Sequence, residues 1–101
     1  MRLTAQQQTD IRTTVSETFG ADAQVRLFGS RADDNKRGGD IDLLITTGQS
    51  DIQAIMHAEI ALLTKLQMKL GEQKIDVLLD YPTRKERPPI FVIAKKTGID
   101  L

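Results

Sequence analysis

The run Ile41-Asp42-Leu43-Leu44-Ile45-Thr46-Thr47 is β-branched-rich and almost continuously apolar. Successive strand residues point to opposite faces, so apolar groups at adjacent positions need cover on most of both faces. This segment is predicted to sit in the middle of a sheet, and the rest of the chain must supply its neighbours and cover. Thr4 is a suitable N-cap, and Ile11, Val15 and Phe19 recur every four residues before Gly20, which predicts an amphipathic helix over 4–19 ending in a left-handed glycine cap. Gln24–Phe28 alternates as a short strand and ends at Gly29-Ser30. Residues 29–40 have loop composition, with a helical turn opening at Ser30.

After Gly48, Ser50 or Asp51 can cap a long helix whose stripe of Ile52, Ile55, Met56, Ile60, Leu63, Leu66 and Leu70 runs to Gly71. Such a stripe is most simply core, and any exposed part of it becomes a partner or dimer surface. Residues 74–80 read as a further strand stopped by Pro82. Pro88 and Pro89 suit the first turn of a helix ending at Gly98, with Ile99–Leu101 as a tail or edge strand. The expected architecture is α/β (α+β), a small mixed sheet of three to four strands packed by helices, with strand order left open.

At 101 residues the chain supports one core, and 1–101 is expected to be a single domain. Fourteen Lys plus Arg balance fourteen Asp plus Glu. A net charge of zero argues against a protein that coats nucleic acid or an anionic membrane, and four scattered aromatic residues offer no base-stacking platform. Direct nucleic-acid binding is therefore not expected. Without cysteine there are no disulfides, thiolate metal sites or thiol nucleophiles. No apolar run approaches the roughly 18 residues of a membrane span, and no signal segment is evident, so a cytoplasmic protein is expected.

Chemistry concentrates in three places. Asp40 and Asp42, at i and i+2 of a strand, project from one face about 6.6 Å apart. Two such anions are tolerated if solvated, if paired with Lys or Arg, or if a divalent cation lies between them, and oxygen donors suit Mg²⁺ or Mn²⁺. Asp76 stands inside the apolar run Ile75-Asp76-Val77-Leu78-Leu79. It is either at a solvent-facing edge, paired with a cation, or a third ligand if its strand neighbours that of Asp42. Asp80 competes for that role, but beside Tyr81-Pro82 it reads as a turn residue. Phe28-Gly29-Ser30-Arg31 places a glycine, a hydroxyl and a cation at a strand end, a combination suited to phosphate oxygens. A nucleoside triphosphate with magnesium satisfies both halves of the site.

Gly29-Ser30-Arg31-Ala32, the nine-residue gap after Ser30, Asp40-Ile41-Asp42-Leu43-Leu44-Ile45 and the later Lys74-Ile75-Asp76-Val77 resemble the signature of the DNA polymerase beta-like nucleotidyltransferase superfamily. The small size resembles the minimal nucleotidyltransferases, the MNT or MntA-type antitoxins that pair with HEPN-domain toxins. That resemblance implies the nucleotidyltransferase fold and transfer of AMP from ATP to a hydroxyl. It implies that Asp40 and Asp42 hold two Mg²⁺ ions about 3.5–4 Å apart. Asp76 would complete the site near the acceptor, Gly29 and Ser30 would seat the β- and γ-phosphates, and Arg31 would add charge there. The acceptor it implies is a tyrosine of a HEPN toxin. A binding-only antitoxin and a nucleotidyltransferase for a small molecule are the alternatives.

Residues 84–96 carry Arg84, Lys85, Arg87, Lys95 and Lys96 against Glu86, a surplus of +4 expected mainly as free, solvated surface. His57 is expected at the surface of the long helix, and Tyr81 is expected to close a strand.

Overall fold

The structure is a computed structural model and describes residues 1–35 and 37–101. Position 36, within the charged loop, lies outside the described residues. The elements are α1 (Ala5–Phe19), β1 (Gln24–Phe28), a 3-10 turn (Gly29–Ala32), β2 (Ile41–Thr46), α2 (Ile52–Leu70), β3 (Ile75–Asp80), α3 (Ile90–Thr97) and β4 (Ile99–Asp100). The strands form one mixed sheet in the order β3-β2-β1-β4. β1 is antiparallel to β2 and β4, whereas β2 and β3 are parallel. A parallel pair needs a crossover, and α2 supplies it. This is the α+β architecture expected from the sequence, a four-stranded mixed sheet packed by helices, with the apolar run as interior strand β2.

Local chemistry sets the helix ends. Thr4 Oγ1 accepts from the Gln7 amide at 3.0 Å, and Gln7 Oε1 accepts from the Thr4 amide at 2.9 Å, a reciprocal capping box. Thr4→Ala is expected to lower stability by about 1 kcal/mol with an unchanged urea m-value, as read by equilibrium unfolding. Gly20 ends α1 at φ 107° and ψ 158°, so the cap is an extended glycine conformation and not the left-handed helical one expected. Asp51, the second of the two candidates, caps α2 through Oδ1 on the Gln53 amide.

Alternation divides the sheet into two faces. Ile41, Leu43 and Ile45 of β2 join Val25 and Leu27 of β1 beneath α1 and α2, in a core with Ile11, Val15, Phe19, Ile55, Leu62 and Leu66. On the other face Phe28 and Leu44 pack against Phe91 and Ala94 of α3, with Leu78 at the margin. α3 is only eight residues long, so this second layer covers part of its face. Among the described residues no helix is long and apolar enough to cross a membrane.

The stripe on α2 is rotated from its expected position. Lys65 reaches Glu17 and Lys69 reaches Glu17 and Thr14, which marks the flank of α2 that meets α1. Ile55, Leu62 and Leu66 then face the sheet, while Ile52, Met56 and Ile60 are about half exposed or more. The apolar arc of α2 is wider than the sheet beneath it.

Asp80 corrects two expectations. It is the last residue of β3, not a turn residue, and its buried carboxylate receives Arg87 Nε at 2.8 Å and Lys95 Nζ at 2.9 Å. The Arg84 guanidinium lies over the Phe91 ring, 4.7 Å from its centre. Three of the five cations in 84–96 are therefore engaged with the fold and not displayed as free surface. Burial pushes the Asp80 carboxyl up, but the hydrogen bonds and charges of Lys95 and Arg87 outweigh it and hold the group below the ordinary carboxylate range. Its stabilising contribution is complete above the unfolded value of about 3.9 and is lost as pH falls through the lower folded value. Arg87 and Lys95 are themselves 38% and 52% exposed, so solvent weakens both pairs. Asp80→Asn is expected to destabilise by about 1 kcal/mol at pH 7, with the difference from wild type closing in chemical unfolding as pH falls through the lowered folded value.

Candidate active site

The parallel register of β2 and β3 sets Asp42 directly beside Asp76. Neighbouring strands lie about 4.8 Å apart, so the two carboxylates share one end of the face that α3 leaves uncovered. β3 is an edge strand and Asp76 is exposed, which explains how a carboxylate persists in that apolar sequence. Asp40 precedes β2 by one residue, and its Oδ2 lies 3.6 Å from Lys74 Nζ. Of the three aspartates, the strand register joins Asp42 and Asp76, and Asp40 is turned to a lysine. Burial, followed by the Asp76 and Asp40 charges, raises the Asp42 carboxyl above its ordinary value, against a smaller lowering by Lys74.

The antiparallel register of β1 and β2 sets Phe28 opposite Asp42, which brings the following glycine to the same place. Gly29 has φ +75°, and a Cβ there would overlap Asp42 Oδ2 and lie 3.1 Å from Cγ. Glycine is thus required twice at this position, for conformation and for the approach to Asp42. Ser30 follows within the 3-10 turn, and its Oγ lies where a Cβ on Gly38 would fall, at 2.5 Å. Gly29, Ser30, Asp42 and Asp76 are gathered at one end of the sheet.

Arg31 points elsewhere. Its terminal nitrogens donate to the Arg2 carbonyl at 3.1 Å, the Gly39 carbonyl at 3.0 Å and Gln73 Oε1 at 3.1 Å. It braces the loop, where the resemblance implied phosphate charge. Sequence reasoning also passed over Arg2, Gly38 and Gln73. Gly38-Gly39 was the visible signal, since a double glycine before a strand marks a close backbone approach. Arg2 and Gln73 gave none, because their partners are carbonyls and side chains distant in sequence.

Among the described residues no group of three carboxylates or imidazoles stands close enough to enclose a metal ion. The donor chemistry nevertheless fits a hard divalent cation. All candidates are carboxylate oxygens, and Asp42 and Asp76 crowd each other with charge that a cation neutralises. Asp42 and Asp76 are the residues that would hold it, with Asp40 available on release from Lys74. When bound, such an ion offsets phosphate charge and acidifies an attacking hydroxyl.

The fold agrees with comparison to known proteins. No curated protein matches the chain. Residues 9–98 match the family model of the nucleotidyltransferase domain, a span that runs from α1 to Gly98 and includes every residue of the site. The chain belongs to the nucleotidyltransferase domain family, whose members transfer nucleotidyl groups.

Proposed function

We propose that the protein is an MNT-type antitoxin, an Mg²⁺-dependent adenylyltransferase that moves AMP from ATP to a tyrosine hydroxyl of a HEPN-domain toxin. The observation that carries the reading is the juxtaposition of Asp42 and Asp76 beside the Gly29-Ser30 turn. Phosphoryl-type transfer needs in-line positioning and charge neutralisation more than a covalent nucleophile. In the transfer, the acceptor oxygen forms a bond to the α-phosphorus as the bond to the β-phosphate oxygen breaks, and pyrophosphate leaves. Asp76, exposed at the sheet edge, is placed to take the acceptor proton. Gly29 and Ser30 hold the departing phosphates through backbone amides and the Ser30 hydroxyl.

Incubation with labelled ATP, Mg²⁺ and the product of the adjacent gene is expected to label that product on tyrosine. Undiminished labelling by the Asp40→Asn/Asp42→Asn variant overturns the assignment. A binding-only antitoxin is the second reading, favoured by the exposed Ile52, Met56 and Ile60 on α2, which suit a protein surface. That reading expects the same double variant to neutralise its toxin at equal stoichiometry.

A further inference from the structure

A phosphate seat must present N–H donors and keep carbonyl oxygens away, because those oxygens carry partial negative charge. The turn after β1 meets this condition through two arginines. Arg2 donates from its guanidinium to the Ser30 carbonyl at 3.1 Å and to the Gly38 carbonyl at 2.8 Å. Its amide donates to the Arg31 carbonyl at 2.8 Å, and the Arg2 carbonyl in turn accepts from the Arg31 guanidinium. Arg31 also holds the Gly39 carbonyl and Gln73 Oε1. Gln73 is anchored by its own bonds to Gln67 and the Leu70 carbonyl at the end of α2. Four loop carbonyls, those of Ser30, Arg31, Gly38 and Gly39, are occupied in this way. Both ends of the loop that joins the phosphate turn to Asp40 are pinned to the segment preceding α1 and to the α2–β3 connection. The two Nε atoms are enclosed without an acceptor, so each guanidinium is held by its terminal nitrogens alone.

We propose that Arg2 is a positioning residue for nucleotide binding, which with Arg31 presets the Gly29-Ser30 turn by occupying the loop carbonyls. The inference rests on the reading of that turn as the triphosphate seat. A single terminal nitrogen, Arg2 Nη2, bridges the two carbonyls from opposite ends of the loop with its two N–H groups; these are fixed in the guanidinium plane, whereas a lysine ammonium is a rotatable point charge on a shorter stem. Arg2 lies outside the apolar core, so its removal acts on the loop before it acts on the fold.

The test compares the wild-type full chain with Arg2→Ala and Arg2→Lys, using calorimetry with Mg·ATP, amide hydrogen exchange over residues 30–39 and thermal unfolding. Arg2→Ala is expected to weaken ATP binding about 10-fold and to speed exchange across 30–39, with Tm within a few degrees of wild type. Arg2→Lys is expected to recover part of the affinity and little of the protection. Unchanged exchange in Arg2→Ala overturns the brace. Faster exchange with wild-type affinity reduces Arg2 to a structural residue and overturns the positioning role. If the wild type itself fails to bind ATP, the nucleotide reading of the site fails and the positioning role falls with it, whereas binding by the wild type leaves only the role of Arg2 at stake.

Discussion

Asp42→Asn is expected to reduce nucleotidyl transfer by at least about 10³-fold and, in the same protein, to raise Tm. The two effects share one cause. Asp42 lies beside Asp76 in the sheet register and near Asp40, and burial with these charges raises its carboxyl. A carboxyl whose folded value lies above its unfolded value stabilises the fold at low pH and loses that contribution as pH rises through the folded value. At neutral pH the ionised group therefore opposes folding, and an amide of the same shape relieves it. The gain in Tm is expected to vanish in acid, where the wild-type carboxyl is protonated as well. Added Mg²⁺ is expected to raise the wild-type Tm by binding the folded state and to leave the variant nearly unmoved. Transfer is read by label incorporation or pyrophosphate release, and a variant that keeps more than about a tenth of the wild-type rate excludes Asp42 from the reaction.

Gly29→Ala is expected to be the most disruptive single-methyl substitution in the site, lowering stability by about 2–4 kcal/mol and removing measurable nucleotide binding. The backbone at φ +75° accounts for about 1–2 kcal/mol of this for any residue with a Cβ. The remainder comes from the contact, since the new methyl occupies the space of Asp42 Oδ2 and comes within 3.3 Å of Asp42 Cβ, which belongs to a central strand with no freedom to retreat. Gly71→Ala provides the control, because Gly71 has φ +81° with open space at its Cβ. Equilibrium unfolding of the two variants separates the conformational cost from the collision. Equal losses in both remove the packing argument at Gly29.

The strands, helices and the N-caps of α1 and α2 were legible because each is set by neighbours in sequence: alternation in β1, Thr4 with Gln7, Asp51 with Gln53. The approach of Gly29 to Asp42 was legible for a different reason, as Gly29-Ser30 and Asp40-Ile41-Asp42 lie within one strand-loop-strand unit. What was not legible depends on rotation and on pairing across the fold. The α2 stripe was read correctly as apolar, but which arc faces the sheet depends on the packing of Ile55, Leu62 and Leu66 into a core built from distant elements, with Lys65 and Lys69 reaching α1 on its flank. Asp80 read as a turn residue because its cations arrive from seven and fifteen positions further along the chain. Arg31 followed a motif, and nothing local showed that its guanidinium is committed to carbonyls of residues 2 and 39.

The parallel pairing of β2 with β3 has a kinetic consequence. Asp42 and Asp76 meet only after the whole of α2 has crossed the sheet, whereas Gly29 meets Asp42 through an antiparallel pair closed by a much shorter loop. Pairings distant in sequence carry the greater loop-closure entropy and form late. A chain still folding can assemble the phosphate turn against the first carboxylate while lacking the second. On the proposed reading of Asp76, competence for transfer is then among the last properties the molecule acquires, and local opening of the β3 edge removes it before the core is breached.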